Sequence, residues 1–134
     1  MPSASEHQIK ANHNRAFLNS ITDPAFCDWM AVAAFYTAVH LVEQLFALQG
    51  LHSQDHRSRN REVRIRLRPI HKHYRPLYNL SMVSRYRESS KFQLTAGAVQ
   101  SLTIGTHLVA IENYVTAQLP GPGSTPPSPP AAGT

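Results

Sequence analysis

The sequence predicts an all-α protein, a four- to five-helix up-and-down bundle, from three observations. Apolar residues recur at helical spacing, no alternating strand pattern of useful length occurs, and turn residues divide the chain into a few long segments. The 134 residues, 42% of them hydrophobic, are enough for one core. We therefore expect a flexible N-terminus (1–5), one helical domain (6–118) and a disordered tail (119–134).

The first two helices are predicted from about Glu6 to Asn19 and from the start signal Thr22-Asp23-Pro24 to Gly50. In the second helix, apolar side chains cover more than half of the circumference, which is typical of a central, mostly buried helix. Its longest uninterrupted apolar run, Trp29 to Tyr36, is too short to span a bilayer. The N-terminus has no secretory signal pattern and Cys27 is the only cysteine, so we expect a cytoplasmic protein.

The third helical region is predicted from Asp55 to about Arg87, with Pro69 and Pro76 expected to kink or divide it. Two rows of side chains follow helical spacing along it. One row, here called the apolar stripe, should face the core and consists of Val63, Leu67, Ile70, Tyr74 and Leu77. The other, here called the basic ridge, lies on a different face and consists of Arg57, Arg61, Arg64, Arg68, Lys72 and Arg75.

The last helix is predicted to follow a connector at Ser89 to Leu94, with Thr95 as its cap. Beyond it, the tail holds six of the ten prolines and few apolar side chains. Such a composition is typical of a disordered segment, because little apolar surface is available to offset the entropy lost on ordering. The alternative is that its Pro-Pro-x-Pro-Pro stretch acts as a polyproline ligand.

The positive charge is concentrated in the middle of the chain. The whole chain carries +5, but residues 56–91 hold eleven lysines and arginines against two acidic residues, a local charge of +9. A row of cations at helical spacing favours binding to a phosphate backbone, so we expect RNA or another nucleic acid as the partner. The candidate nucleic-acid-binding residues are Arg57, Arg59, Arg61, Arg64, Arg68, Lys72 and Arg75. The alternatives are a solvated basic face and a protein-interaction module that meets an acidic partner.

Three of the eight histidines lie among these cations, at His56, His71 and His73. Cleavage of RNA by its own 2′-hydroxyl needs proton transfer, which histidine supplies near neutral pH, and charge stabilisation, which arginine supplies. Positions seven apart share a helix face, which places Arg64 with His71 and Arg66 with His73. The candidate catalytic residues are Arg64, Arg66, Arg68, His71 and His73.

Neither a metal ion nor another cofactor is predicted. His52 and His56 lie four residues apart with Asp55 between them, and His71 and His73 lie two apart. A protein zinc site normally uses three or four ligands, and no third strong ligand accompanies either pair. Gly-rich phosphate loops and nucleophile elbows are also missing from the sequence.

Several stretches between Phe17 and Val115 resemble the sequences of a known family. They are the run Asp28 to Glu43 (DWMAVAAFYTAVHLVE), Gly50-Leu51-His52-Ser53, His56-Arg57, and then Tyr74, Leu77-Tyr78, Leu80-Ser81 and Arg85-Tyr86. In these stretches the chain resembles small bacterial HEPN-domain proteins. The resemblance implies a helical bundle, usually a homodimer, and for many members a metal-independent endoribonuclease of toxin–antitoxin or antiviral defence systems.

The resemblance also implies an arginine, four to six residues, and a histidine, brought to a cleft shared by two subunits. Four pairs satisfy this spacing: Arg66 with His71, Arg68 with His73, Arg64 with His71, and Arg66 with His73. The polar residue that often follows the arginine is replaced by Ile65, Leu67 or Pro69. The alternative is a non-catalytic nucleic-acid-binding or assembly subunit of a larger effector complex, and an antitoxin or effector protein is the expected further partner.

Overall fold

The computed structural model describes residues 2–86 and 94–119, and within them the predicted all-α bundle is confirmed. Five helices follow one another: α1 (Ala4–Ser20), α2 (Cys27–Leu48), α3 (His56–Arg66), α4 (Arg68–Tyr86) and α5 (96–118). The last is made of an α-helical turn Ala96–Ala98, a π-helical segment Val99–Leu108 and an α-helical end Val109–Gln118. The connector at 89–93 and the tail from 120 onward lie outside the described residues.

Helix α1 begins earlier than the predicted Glu6. Ser3 and Glu6 form a capping box, in which the Ser3 hydroxyl accepts from the Glu6 N–H at 3.1 Å and the Glu6 carboxylate accepts from the Ser3 N–H. Residues 4 and 5 therefore belong to the helix and not to the predicted flexible N-terminus. At the other end of the bundle, the Arg15 guanidinium donates to Glu112 at 3.2 Å and ties α1 to α5.

Helix α2 is the central helix, as predicted. The Asp23 carboxylate accepts from the Ala25 N–H at 2.9 Å and starts a short 3-10 turn, Pro24–Phe26, that leads into the helix. Gly50, with φ of 73°, ends it. Between these ends α2 packs against α1, α4 and α5. An 18-residue window of Pro24–Leu48 has a mean hydropathy of 1.5, long and apolar enough for a membrane span, but 67% of that window is buried inside the bundle, as in a core helix.

The third predicted region is two helices, because the chain breaks at Leu67 (φ −122°, ψ 47°). Pro69 has no N–H to continue the ladder of α3, but it is tolerated in the first turn of α4. Pro76, by contrast, lies inside α4 without ending it. The whole apolar stripe is buried, with each of its five side chains at most 3% exposed.

Helix α5 is capped as predicted: the Thr95 hydroxyl accepts from the Ala98 N–H at 3.1 Å. The π-helical segment that follows contains Gly105, where a Cβ would lie 3.0 Å from the Gln100 carbonyl oxygen. A glycine at this point therefore lets the wider turn close without crowding. The core contains residues from every helix, including Leu18, Phe35, Leu77 and Ile111.

Candidate nucleic-acid interface

The basic ridge lies on the surface of α3 and α4. All six of its side chains are exposed, while the apolar stripe of the same two helices is buried. The separation follows from the helical spacing, because burial of one face turns the other toward solvent. The prediction that these cations share an exposed face is therefore confirmed.

Between α3 and α4 the ridge borders a cavity of about 370 Å³, here called the basic cavity. Its lining consists of four arginines, one histidine, two asparagines and two tyrosines: Arg57, Arg61, Arg64, Arg75, His71, Asn60, Asn79, Tyr74 and Tyr78. None of these lining residues is acidic. The four guanidinium groups therefore offer their N–H donors to an anion without a competing carboxylate in the lining.

Arg64 and His71 occupy a special position in this surface. Both line the basic cavity, and both also line an adjoining cavity of about 360 Å³ together with Ile65 and Arg68. They are thus the two lining residues common to both depressions. Of the four arginine–histidine pairs with matching spacing, only Arg64 with His71 is brought together in the basic cavity.

His73 lies on another face of α4. Its Nδ1 is 3.0 Å from the Nδ1 of His107 on α5, so that one ring donates to the other. Burial, and then the neighbouring Lys72 ammonium, lower the pKa of His73. His73 therefore links two helices and does not line the basic cavity.

Arg66 is also turned away from the basic cavity. Its Nε donates to the Glu62 carboxylate at 2.5 Å, one helical turn earlier, and its side chain is 45% exposed. Lys72 is exposed on the ridge but does not line the cavity either. Arg68 borders only the adjoining cavity.

Arg59 is placed in the interior. Its Nε donates to Glu43 of α2 at 2.7 Å, and the two side chains are only 12% and 5% exposed. A second guanidinium nitrogen donates to the Nδ1 of His56 at 2.8 Å. Burial and this guanidinium lower the pKa of His56. Arg59 thus holds α3 against α2, and the basic cavity is lined without it.

The two tyrosines of the cavity differ in accessibility. Tyr74 is 1% exposed, and burial raises the pKa of its hydroxyl despite the nearby Arg59. Tyr78 is half-buried, with its ring 5.7 Å from that of Phe35. Tyr86 is 70% exposed, lies outside the cavity lining, and carries the Arg85 guanidinium over its ring.

Sequence reasoning missed Asn60 and Asn79. The signal for them was available, because Asn60 lies three residues after Arg57 and four before Arg64, and Asn79 lies four after Arg75. Both amides therefore follow the helical register of the ridge. The exposed Asn79 adds an amide to a lining that is otherwise dominated by donors, whereas the Oδ1 of Asn60 is buried.

The described residues contain no group of three or more histidine, cysteine, aspartate or glutamate side chains that would hold a metal ion.

His40 on α2 pairs with His7 on α1, with 3.0 Å between their Nδ1 atoms, and burial lowers the pKa of His40 to about 4. Histidines at these positions thus contribute to helix packing.

Comparison with protein-family models, with curated proteins and with solved structures finds no match for this chain.

Proposed function

We propose that this protein is a HEPN-like RNA-binding protein that holds the RNA backbone in the basic cavity. The observation that carries the proposal is the convergence of Arg57, Arg61, Arg64 and Arg75 on one cavity whose lining contains no acidic residue. Arginine forks bind phosphate bidentately, and each neutralised phosphate releases a counterion. The half-buried Tyr78 in the same lining would offer the exposed part of its ring to an unpaired base.

We further propose that Arg64 and His71 cleave the bound RNA without a metal ion. The 2′-hydroxyl would lose its proton as its oxygen bonds to phosphorus, and the bond from phosphorus to the 5′-oxygen would break as that oxygen gains a proton. His71 would transfer one of these protons. Arg64 would stabilise the charge that develops on the phosphoryl oxygens.

Purified protein incubated with single-stranded RNA in excess EDTA tests this activity. We expect products that end in a 2′,3′-cyclic phosphate, and their loss in His71→Gln. His73→Gln is the matched control, because His73 lies outside the cavity on the same helix. Absence of products from the wild-type protein, or equal activity in the two variants, would contradict the proposal.

A non-catalytic subunit that only holds nucleic acid is the second candidate function. It is favoured by the presence of one histidine among the residues that line the basic cavity. Cleavage needs one group that takes a proton and one that gives a proton, so a single protomer supplies only half of this set from imidazoles. RNA binding that weakens steeply with salt, together with no products at any protein concentration, would identify this function.

We also propose that the protein self-associates as a homodimer. Support comes from an exposed aromatic patch beside a depression of about 520 Å³, formed by Phe17, Phe26 and Trp29, whose exposed fractions are 49%, 51% and 53%. Exposed apolar patches of this kind commonly mark interaction surfaces. Sedimentation analysis should report a dimer for the wild-type protein and a monomer for Trp29→Ser.

The biological setting that accords with these proposals is a cytoplasmic toxin–antitoxin or antiviral defence system. In that setting the further partner is an antitoxin or a larger effector protein. Co-purification from the native host, followed by identification of the bound protein, tests this assignment.

A further inference from the structure

The basic cavity adjoins a second depression, and the two meet at Arg64 and His71. This adjoining cavity, of about 360 Å³, is lined by these two residues together with Ile65 and Arg68, so its lining contains no acidic side chain either. Both volumes lie near the lower end of the range of small-ligand pockets, roughly 300–1,000 Å³. Each depression therefore has the size of a site for one nucleotide.

The break between α3 and α4 forms the adjoining cavity. Arg64 and Ile65 belong to the last turn of α3, whereas Arg68 and His71 belong to the first turn of α4. Between the two helices, Leu67 is only 3% exposed and fixes the bend against the core. Two helix ends thus present the side chains that line this cavity.

The lining of the adjoining cavity offers two kinds of contact. Ile65 is 53% exposed, and covering this apolar surface with the face of a nucleobase removes it from water. Arg68, exposed in the same lining, has guanidinium donors for a phosphate. The basic cavity offers the same two kinds of contact with the ring of Tyr78 and its own arginines.

We propose that single-stranded RNA crosses the Arg64–His71 pair with one nucleotide in the basic cavity and the next in the adjoining cavity. Because Arg64 and His71 line both cavities, the phosphodiester that links the two nucleotides lies beside them. Ile65 packs on the base of the second nucleotide, and Arg68 binds the phosphate beyond it. This inference rests on the proposed RNA binding and adds a minimal ligand, a dinucleotide.

Two short ligands separate a second nucleotide site from attraction by charge alone. 2′-O-methyluridine 3′,5′-bisphosphate has one base and two phosphomonoesters. The 2′-O-methyl dinucleotide pUmpUm has two bases, one phosphomonoester and one phosphodiester, and so carries less negative charge. A solvated row of arginines would bind the bisphosphate at least as tightly as the dinucleotide, since its contacts are to phosphate. A site for the second base reverses this order.

Isothermal titration calorimetry at low salt measures the two affinities, and the 2′-O-methyl groups remove the nucleophile for cleavage. The wild-type protein should bind pUmpUm about fivefold more tightly than the bisphosphate, because the second base covers Ile65. Ile65→Ser should lose this preference. Ile9→Ser is the matched control, because it changes an exposed isoleucine on α1, and it should keep the preference.

A third ligand tests Arg68. The dinucleotide pUmpUmp has a phosphate at both ends and therefore supplies one to Arg68 whichever way the strand runs. Arg68→Gln should weaken binding of pUmpUmp about fivefold and leave binding of the bisphosphate unchanged. Lys72→Gln is the matched control, since Lys72 is exposed on the basic ridge but lines neither cavity, and it should have little effect on either ligand.

Equal or tighter binding of the bisphosphate by the wild-type protein overturns the second nucleotide site and leaves the proposed RNA binding standing. A preference for pUmpUm that survives in Ile65→Ser also overturns it, as does an equal effect of Arg68→Gln and Lys72→Gln. Absence of binding by all three ligands overturns the two-nucleotide arrangement. If a 2′-O-methyluridine 12-mer also fails to bind at low salt, the proposed function is overturned with it.

Discussion

Removing the Arg59 guanidinium should destabilise the bundle strongly. In an Arg59→Met variant the Glu43 carboxylate, 5% exposed, loses the cation that lies 2.7 Å away. At an effective dielectric constant of about 20, two unit charges at this distance attract each other by about 6 kcal/mol. Because the pair also carries a desolvation cost, the expected loss on removing one partner is about 3–5 kcal/mol.

Urea unfolding followed by circular dichroism at 222 nm measures this loss. For a slope of about 1–3 kcal/mol per molar urea, 3–5 kcal/mol moves the midpoint by about 2 M. The matched control is Arg57→Met, which removes an exposed arginine of the same helix and should change stability by no more than about 0.5 kcal/mol. A second variant, Arg59→Met/Glu43→Leu, should recover much of the loss, since it leaves no charge unpaired.

Equal stability of Arg59→Met and Arg57→Met would refute this reasoning. It would mean that Arg59 is a solvated cation of the basic surface, as the sequence alone suggested, and that Glu43 finds its compensation elsewhere. A large loss in Arg59→Met without recovery in the double variant would instead show that the packing of the arginine stem, and not its charge, holds α3 against α2.

Three further outcomes are expected. The free energy of unfolding should decrease as the pH falls from about 7 through 6.5 toward about 4. The lowered pKa of His40 keeps its imidazole neutral in the folded state, whereas the imidazole of the unfolded chain takes up a proton in this range. Because the His40 site is half-exposed, this loss is limited to about 2 kcal/mol. The variant His40→Gln should show a weaker dependence of the unfolding free energy on pH. Gly97→Ala should raise the midpoint of thermal unfolding, because nothing lies within 4 Å of the new Cβ. Gly105→Ala should lower that midpoint, because its Cβ would lie 3.0 Å from the Gln100 carbonyl oxygen. Arg64→Gln should reduce the slope of log affinity against log salt by about one in a titration with single-stranded RNA.

The helix starts and the buried faces were predictable because they depend on local chemistry. Capping by Asp23 and Thr95 involves residues two or three positions along the chain, and the sequence contains that information directly. The apolar stripe and the basic ridge were predictable for the same reason, since spacing along a helix determines which side chains share a face. The break at Leu67 could be predicted from Pro69. Pro76, by contrast, lies within α4 without ending the helix, which the presence of a proline does not predict.

The choice among the arginine–histidine pairs was not predictable from spacing. Arg66 with His71 and Arg68 with His73 satisfy the same interval as Arg64 with His71, and the segment is so rich in arginine that several pairs are inevitable. Packing decides between them: α5 lies against one face of α4 and takes His73 into a contact with His107. His71, on the face turned toward α3, remains in the basic cavity.

By itself, the sequence determined that this chain is an all-α bundle with a central apolar helix and a cationic face between residues 57 and 75. Only the tertiary structure decided which of those cations are buried against a carboxylate and which remain exposed around the basic cavity. Arg59 faces inward because the buried carboxylate of Glu43 on a neighbouring helix compensates it, and Arg57, Arg61, Arg64 and Arg75 remain outside to form the cavity. The physical reason is that the role of a charge depends on the burial and the partners supplied by other helices, which the spacing of one helix does not contain.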